Sequence, residues 1–291
     1  MKKVLKLPRR LQVGPGPPLE IRAAGRRAAP GEPPSASQVG FTLRRPRRGT
    51  LLVTWHGLGE FAIERGRTIT ARRFDDASWS EFRDLVLTNI PGFALLERGV
   101  ETLHSSGVEI NGRAVAFAGC AGSAKSTLAA LFFRRGCRVL TDDLLPVQVV
   151  GKHVQAYPSF AEIKLMPEAA RALRVHPSRL FRMTPPMRKF ICKVRAPKGP
   201  RRLAAVYFPA LSTTSRRVIL RPLSRREAFH NLLAYNFNAV LITRRRLRRL
   251  LALCARIAER VPARRLLIPR DWRRLDEVAA RIEADLESLR R

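Results

Sequence analysis

The chain has 291 residues and a formal charge of +33, from 56 basic side chains against 23 acidic ones. Its 45% apolar content is ample for a core, which excludes a coreless basic polypeptide, and the length allows one large domain or two small ones. Only nine basic residues are lysine (Lys2, Lys3, Lys6, Lys125, Lys152, Lys164, Lys189, Lys193 and Lys198) and 47 are arginine. An arginine excess spread along the whole chain is what a GC-biased genome gives at solvated positions. Net charge speaks to solubility and encounter, not to fold or reaction.

Cys120, Cys137, Cys192 and Cys254 form no CxxC pair, so neither a disulfide framework nor a zinc site is indicated, and reduced thiols in a cytoplasmic protein are the expectation. The start MKKVLKLPRRLQ breaks at Pro8 before any apolar run and is not a secretory signal. No uncharged apolar stretch approaches the roughly 20 residues of a membrane span. No membrane partner is expected.

Residues 1–48 (GPGPP, RRAAPGEPPSAS, LRRPRRG) show little hydrophobic periodicity and read as a flexible basic arm; charge patterning alone keeps an acidic or nucleic-acid partner open for it. Residues 49–291 read as one domain. LLVTW and EFAIERGRTITARRF predict short strands with a turn at Arg65–Gly66. Trp79–Thr88 and Phe93–Arg98 predict helices, with Gly99 as a C-terminal cap.

In VETLHSSGVEINGRAVAFAG, Asn111–Gly112 separates two apolar runs, the strongest short hairpin signal, because both turn residues need positive φ. The second strand, Ala114–Ala118, runs into Gly119-Cys120-Ala121-Gly122-Ser123-Ala124-Lys125-Ser126. A helix then starts near Lys125, takes in Thr127 and is closed by Gly136. The strand Cys137–Leu140 ends in Thr141-Asp142-Asp143. Strand, glycine loop, helix and strand make a βαβ-like phosphate-binding unit. Further on, VVGKHVQAYP predicts a hairpin, Pro167–Leu173 a short helix, Phe181–Arg202 a basic turn-rich stretch, and Leu203–Phe208 and Arg217–Leu220 strands. Arg225–Ala234 and Arg245–Arg260 predict helices, Arg265–Ile268 a strand, and Asp271–Leu289 a terminal amphipathic helix.

The glycine loop follows G-x-x-x-x-G-K-[ST] at all but one position. In such a loop the backbone N–H groups and the helix dipole converge on phosphate oxygens, Lys125 neutralises the β and γ oxygens, and the Ser126 hydroxyl sits on Mg²⁺. Ala124 stands where the motif has glycine; alanine in a left-handed conformation costs about 1 kcal/mol. Asp142 and Asp143 are candidates for holding Mg²⁺ and for accepting a proton from an incoming hydroxyl, or they cap a strand end. Two adjacent carboxylates repel, so one pKa tends to rise unless a cation compensates.

The run LHSSGVEINGRAVAFAGCAGSAKSTLAALFFRRGCRVLTDDLLP, Leu103 to Pro146, resembles the nucleotide-binding segment of the HPr serine kinase family, and more closely the HPr-kinase-like proteins that include kinases of lasso-peptide precursors. Weaker similarity runs from FAIERGRTI through AYPSFAEIKLMPEA to LLIPRDWRRLDEVA. The resemblance implies an α/β fold of mixed sheets, akin to ATP-dependent phosphoenolpyruvate carboxykinase, and an ATP- and Mg²⁺-dependent serine kinase acting on a peptide or small protein. It implies Asp143 as proton acceptor, Lys125 and Ser126 as phosphate lysine and Mg²⁺ hydroxyl, His104 as an assisting histidine, Asp142 as supporting, and Glu162 as a second metal-associated acid. The large N-terminal domain of the HPr enzymes is missing, and the glycine-rich segment tied to their phosphorylase activity reads AEIKLMPEAA. Neither HPr as acceptor nor the reverse reaction is expected. The alternatives are a degenerate nucleotide sensor and a basic nucleic-acid-binding ATPase; the acceptor and any homo-oligomer stay open.

Overall fold

A computed structural model describes residues 7–28, 40–160, 162–182, 189–236 and 243–289. They divide into two compact units, one ending at Val100 and the other beginning at Glu101.

The first unit is a six-stranded sheet: β1 (Arg10–Leu11), β2 (Leu19–Ala23), β3 (Phe41–Arg44), β4 (Thr50–Trp55), β5 (Gly59–Glu64) and β6 (Thr68–Arg73), in the order β1-β2-β6-β5-β4-β3. Strands β4 to β6 are the expected meander, with Arg65 and Gly66 both at positive φ in its turn. Helices α1 (Trp79–Leu87) and α2 (Asn89–Glu97) follow; α2 starts four residues earlier than predicted, with Pro91 in its first turn, where a missing N–H does no harm.

The described part of residues 1–48 is not a flexible arm. Strand β2 pairs parallel with β6, β3 pairs antiparallel with β4, and Leu11, Val13, Leu19 and Ile21 are buried. The alternation is present in LEIRA but is only two core residues long, so the surrounding prolines, glycines and arginines hide it. The glycine–proline run is held by Arg98, whose guanidinium donates to the carbonyls of Pro15 (2.6 Å) and Pro17 (3.1 Å).

The second unit is built on an eight-stranded mixed sheet. Its strands are β7 (Thr102–Ile110), β8 (Arg113–Ala118), β9 (Arg138–Thr141), β10 (Leu144–Val150), β11 (His153–Ala156), β15 (Arg201–Ser212), β16 (Ile219–Pro222) and β17 (Ala263–Pro269). A small antiparallel sheet adds β12 (Glu162–Leu165), β13 (Leu180–Arg182) and β14 (Phe190–Lys193). The basic stretch 181–202 therefore contributes strands as well as turns; residues 183–188 lie outside the described part. Helices α3 (Lys125–Arg134) and α7 (Leu275–Ser288) pack on one face of the main sheet around Phe117, Phe132, Tyr207 and Ile282. Helices α5 (Arg225–Ala234) and α6 (Arg244–Arg260) pack on the other around Phe208, Leu232, Leu250 and Cys254. The short α4 (Pro167–Ala172) has proline at its N-terminus, as predicted, and α7 begins at Leu275 after a single 3₁₀ turn at Trp272–Arg274.

Hairpin β7–β8 turns at Asn111 (φ 50°) and Gly112 (φ 76°), as both residues predict. Strand β8 pairs parallel with β15, and β9 pairs antiparallel with β7. Strands β8 and β9 are therefore parallel with β7 between them, and α3 is the crossover that joins them.

Candidate functional site

Two breaks in regular structure meet at the carboxyl end of β8. The first is the loop between Ala118 and Lys125. Gly119 is buried; a Cβ there would stand 2.6 Å from Ser123 Oγ and 3.3 Å from Ser123 Cβ, so a side chain at this position would have to displace the Ser123 hydroxyl at the closed base of the loop. Cys120, Ala121 and Gly122 form its exposed rim, with Gly122 at φ 80° and Ser123 N–H donating to the Cys120 carbonyl at 3.3 Å. Ala124 is in the left-handed region (φ 73°, ψ 15°). The alanine that stands at the motif's second glycine position thus adopts the conformation for which glycine is ordinarily kept. Ala124 offers no side-chain cap to α3, so the N–H groups of Lys125, Ser126 and Thr127 open the helix without one.

The second break lies between β9 and β10. Both strands pair with the same edge of β7: a bulge between Gly107 and Val108 shifts β9, after which Gly107 opposite Thr141 and His104 opposite Leu144 keep one register across the break. Asp142 and Asp143 fall between these pairs, facing Ser106 and Ser105. Asp143 leaves the ladder with φ 82°, unusual for any residue but glycine, and this kink turns a single long strand into two. The aspartates occupy a break rather than a strand end.

The breaks are joined by hydrogen bonds. Asp142 is 3% exposed; its Oδ1 accepts from Ser106 Oγ (2.5 Å) and Ser126 Oγ (3.0 Å), and its Oδ2 accepts from the Lys164 backbone N–H (3.0 Å). Asp143 is the accessible member, its side chain 26% exposed, and its Oδ2 pairs with Lys164 Nζ at 2.6 Å. His104 Nδ1 lies 3.2 Å from the Asp143 carbonyl oxygen, a contact in which the ring donates, and the His104 backbone N–H donates to the Tyr235 carbonyl at 3.0 Å. Lys125 is buried and its ammonium donates to the carbonyls of Gly119 and Cys120, both at 2.8 Å. Ser123 Oγ is buried without a hydrogen-bond partner.

Electrostatics separate the two acids. Burial, and then the neighbouring Asp143 charge, push Asp142 up to about 6. Burial pushes Asp143 up as well, but the charges of Lys164, His104 and Lys125 outweigh it and leave its pKa below the usual carboxylate range. Burial lowers Lys125 and His104, each against the pull of Asp143. The repulsion expected of neighbouring carboxylates is resolved by a cation on one of them.

The sequence-predicted residues His104, Lys125, Ser126, Asp142 and Asp143 come together, with the loop Gly119–Ala124 beside them; Thr127 lies in the first turn of α3. Glu162 begins β12, two residues before Lys164 on the same strand, and among the described residues no group of three or more His, Cys, Asp or Glu side chains could hold a metal ion. Two residues at the centre, Lys164 and Ser106, are absent from the sequence-based set. Strand alternation puts Lys164 on the same side of β12 as Glu162, which is the signal that could have found it. Ser106 carries no comparable mark.

No family model and no curated protein matches the chain. Among solved structures it is similar to the HPr(Ser) kinase/phosphatase from Coxiella burnetii, at 12% identity and a TM-score of 0.33, over 64% of this chain and 97% of that one. A likeness of that depth assigns neither fold nor activity. Among the described residues, no helix is long and apolar enough to cross a membrane.

Proposed function

We propose that this chain is an ATP-dependent serine kinase of the HPr-kinase-like type, transferring the γ-phosphoryl group to a hydroxyl of a peptide or small protein. The observation that carries the reading is the hydrogen bond from Ser126, at the opening of α3, to Asp142, in the break of the neighbouring strand. It joins a loop suited to phosphate with the acid needed beside it.

Hard oxygen donors such as the Ser126 hydroxyl and the Asp142 carboxylate suit Mg²⁺, and the unpartnered Ser123 hydroxyl leaves room for a further acceptor at the loop. A Mg²⁺ ion held by Ser126 and Asp142 would supply charge neutralisation for the terminal phosphates. Glu162 keeps the role of second metal-associated acid only on the family resemblance. The loop N–H groups bind phosphate oxygens, and Lys125 leaves the loop carbonyls for the β and γ oxygens. Asp143, the more accessible acid, accepts the proton of the acceptor hydroxyl as the new O–P bond forms and the β–γ bridging P–O bond breaks, with ADP as leaving group. His104 orients Asp143 through its carbonyl. The basic stretch 181–202 would offer an acidic acceptor its complement, and a cytoplasmic setting belongs to the same reading.

A second reading, a nucleotide sensor without transfer, is favoured by Ala124, whose methyl group occupies a left-handed loop position, and by the ties of Lys125 to its own loop. Calorimetry with Mg·ATP, paired with transfer of γ-labelled phosphate to peptides encoded beside this gene, separates the two. Binding with transfer supports the kinase, binding without transfer supports the sensor, and no binding removes both.

A further inference from the structure

Lys164 is one of nine lysines in a chain with 47 arginines, yet it bridges both aspartates from a third element, β12. Its backbone N–H holds Asp142 and its ammonium holds Asp143. The side chain is 12% exposed, so the ammonium stands between the protein interior and the open side of Asp143. The charges of Lys164 and, more weakly, Lys125 both act on Asp143.

We infer that Lys164 is a γ-phosphate contact, parked on Asp143 in the nucleotide-free protein, that gives the site its preference for a triphosphate over a diphosphate. The inference rests on the nucleotide reading of the loop and adds a residue and a selectivity to it.

In-line transfer sets the scale. A base reaches the acceptor oxygen at about 3 Å, and that oxygen approaches phosphorus at roughly 3–3.5 Å, so the γ-phosphorus comes within about 7 Å of Asp143. Lys164 Nζ already lies 2.6 Å from Asp143 Oδ2 on a flexible four-carbon stem. A lysine ammonium is a compact point charge that can move from carboxylate to phosphoryl oxygen without the bidentate geometry an arginine favours. The α and β phosphates belong to the loop and Lys125, so an ADP complex makes no demand on Lys164. Leaving Asp143 for the γ-phosphate also frees that carboxylate to take a proton. The base is uncovered by the group that is to be transferred.

The test is calorimetric affinity for Mg·ATP and Mg·ADP in wild type, Lys164→Met, Lys164→Arg and the double variant Asp143→Asn/Lys164→Met. Methionine removes the ammonium and keeps the N–H bond to Asp142; the double variant keeps the fold free of an unpaired carboxylate. A charge-assisted contact to phosphate is worth on the order of tenfold or more in affinity. ATP affinity is expected to fall on the order of tenfold in both methionine variants, with ADP affinity within about twofold, and Lys164→Arg to recover part of the preference. Equal loss for ATP and ADP would make Lys164 a neutraliser of Asp143 and overturn the inference, as would no loss at all. If wild type binds neither nucleotide, the nucleotide reading itself falls and the inference with it. If wild type binds both and only the predicted selectivity is missing, the reading survives and the inference alone fails.

Discussion

Ser126 Oγ donates to Asp142 Oδ1 across 3.0 Å, tying the first turn of the crossover helix to the break between β9 and β10. The same oxygen accepts from Ser106 on the intervening strand β7, so one buried carboxylate fastens three elements at the mouth of the glycine loop.

Asp142 has a pKa raised by burial to about 6, above its ordinary value, so the folded chain holds more protons than the unfolded chain between about pH 4 and 6. Its effect on stability therefore worsens as pH rises through that window and is constant above it. Asp142→Asn removes the charge; its amide can give the Lys164 N–H an acceptor and the two serine hydroxyls a donor. In metal-free buffer the variant is expected to match wild type near pH 4 and exceed it above pH 6, by no more than about 3 kcal/mol. Urea unfolding from pH 4 to 8 checks this; a gain largest at low pH would reverse the sign.

Ala124 at φ 73° carries strain that glycine does not. Ala124→Gly is expected to raise stability by up to about 1 kcal/mol and to bind Mg·ATP as well as wild type or better. Thermal unfolding and calorimetry read the two effects. Weaker binding would mean that the loop is shaped around the methyl group.

Lys125 donates to two carbonyls of its own loop, a position it must leave to meet phosphate. Lys125→Ala is expected to lower ATP affinity by well over tenfold, because the phosphates lose their nearest cation, and to cost ADP affinity as well. Unchanged calorimetric affinity would remove the loop from the nucleotide site.

The site was legible where chemistry imposes spacing. The Asn111–Gly112 turn, the glycine loop and the paired aspartates each demand particular residues over a few positions; the structure forms the turn at one end of β8 and brings the loop and the aspartates together at the other. What stayed hidden depends on pairing at long range. Lys164 reaches Asp142 through a backbone N–H, which any residue but proline could supply, and Ser106 matters only because β9 and β10 both pair with β7 on either side of it. The N-terminal strands were missed for a related reason. Parallel pairing of β2 with β6 joins Glu20 to Thr68 across 48 residues, and no local pattern announces such a partner.

Those strands give a stability prediction. Ile21 is buried opposite Ile69 in that parallel pair. Ile21→Ala is expected to destabilise by about 2–5 kcal/mol, and deleting residues 1–28 should disrupt the first unit. Denaturant unfolding of the full chain is the measurement; a deletion as stable as wild type would show the segment to be dispensable.

The final prediction assigns the base. Asp143 is the more accessible acid, and its pKa lies below the carboxylate range because Lys164, His104 and Lys125 outweigh its burial; Asp142 is enclosed and sits near 6. A base works only when ionised, so each candidate gives a different acid limb to the pH dependence of transfer. In the pH dependence of kcat/KM for Mg·ATP, which reports the free enzyme, Asp143 as base puts the acid limb below the ordinary carboxylate range, and Asp142 as base puts it near pH 6. Asparagine at 143 keeps the shape and cannot take the proton, and loss of a general base typically costs about 10²–10⁴ in rate. Asp143→Asn is therefore expected to keep ATP affinity within a few-fold and lose transfer by that factor, while Asp142→Asn shows the smaller transfer defect and the larger change in Mg²⁺ dependence. Radiolabel transfer and calorimetry on the same preparations, from pH 4.5 to 8, read both effects. An acid limb near 6 that vanishes in Asp142→Asn would move the base to Asp142. Transfer by Asp143→Asn at the wild-type rate would leave Asp143 as a partner of Lys164 and no more.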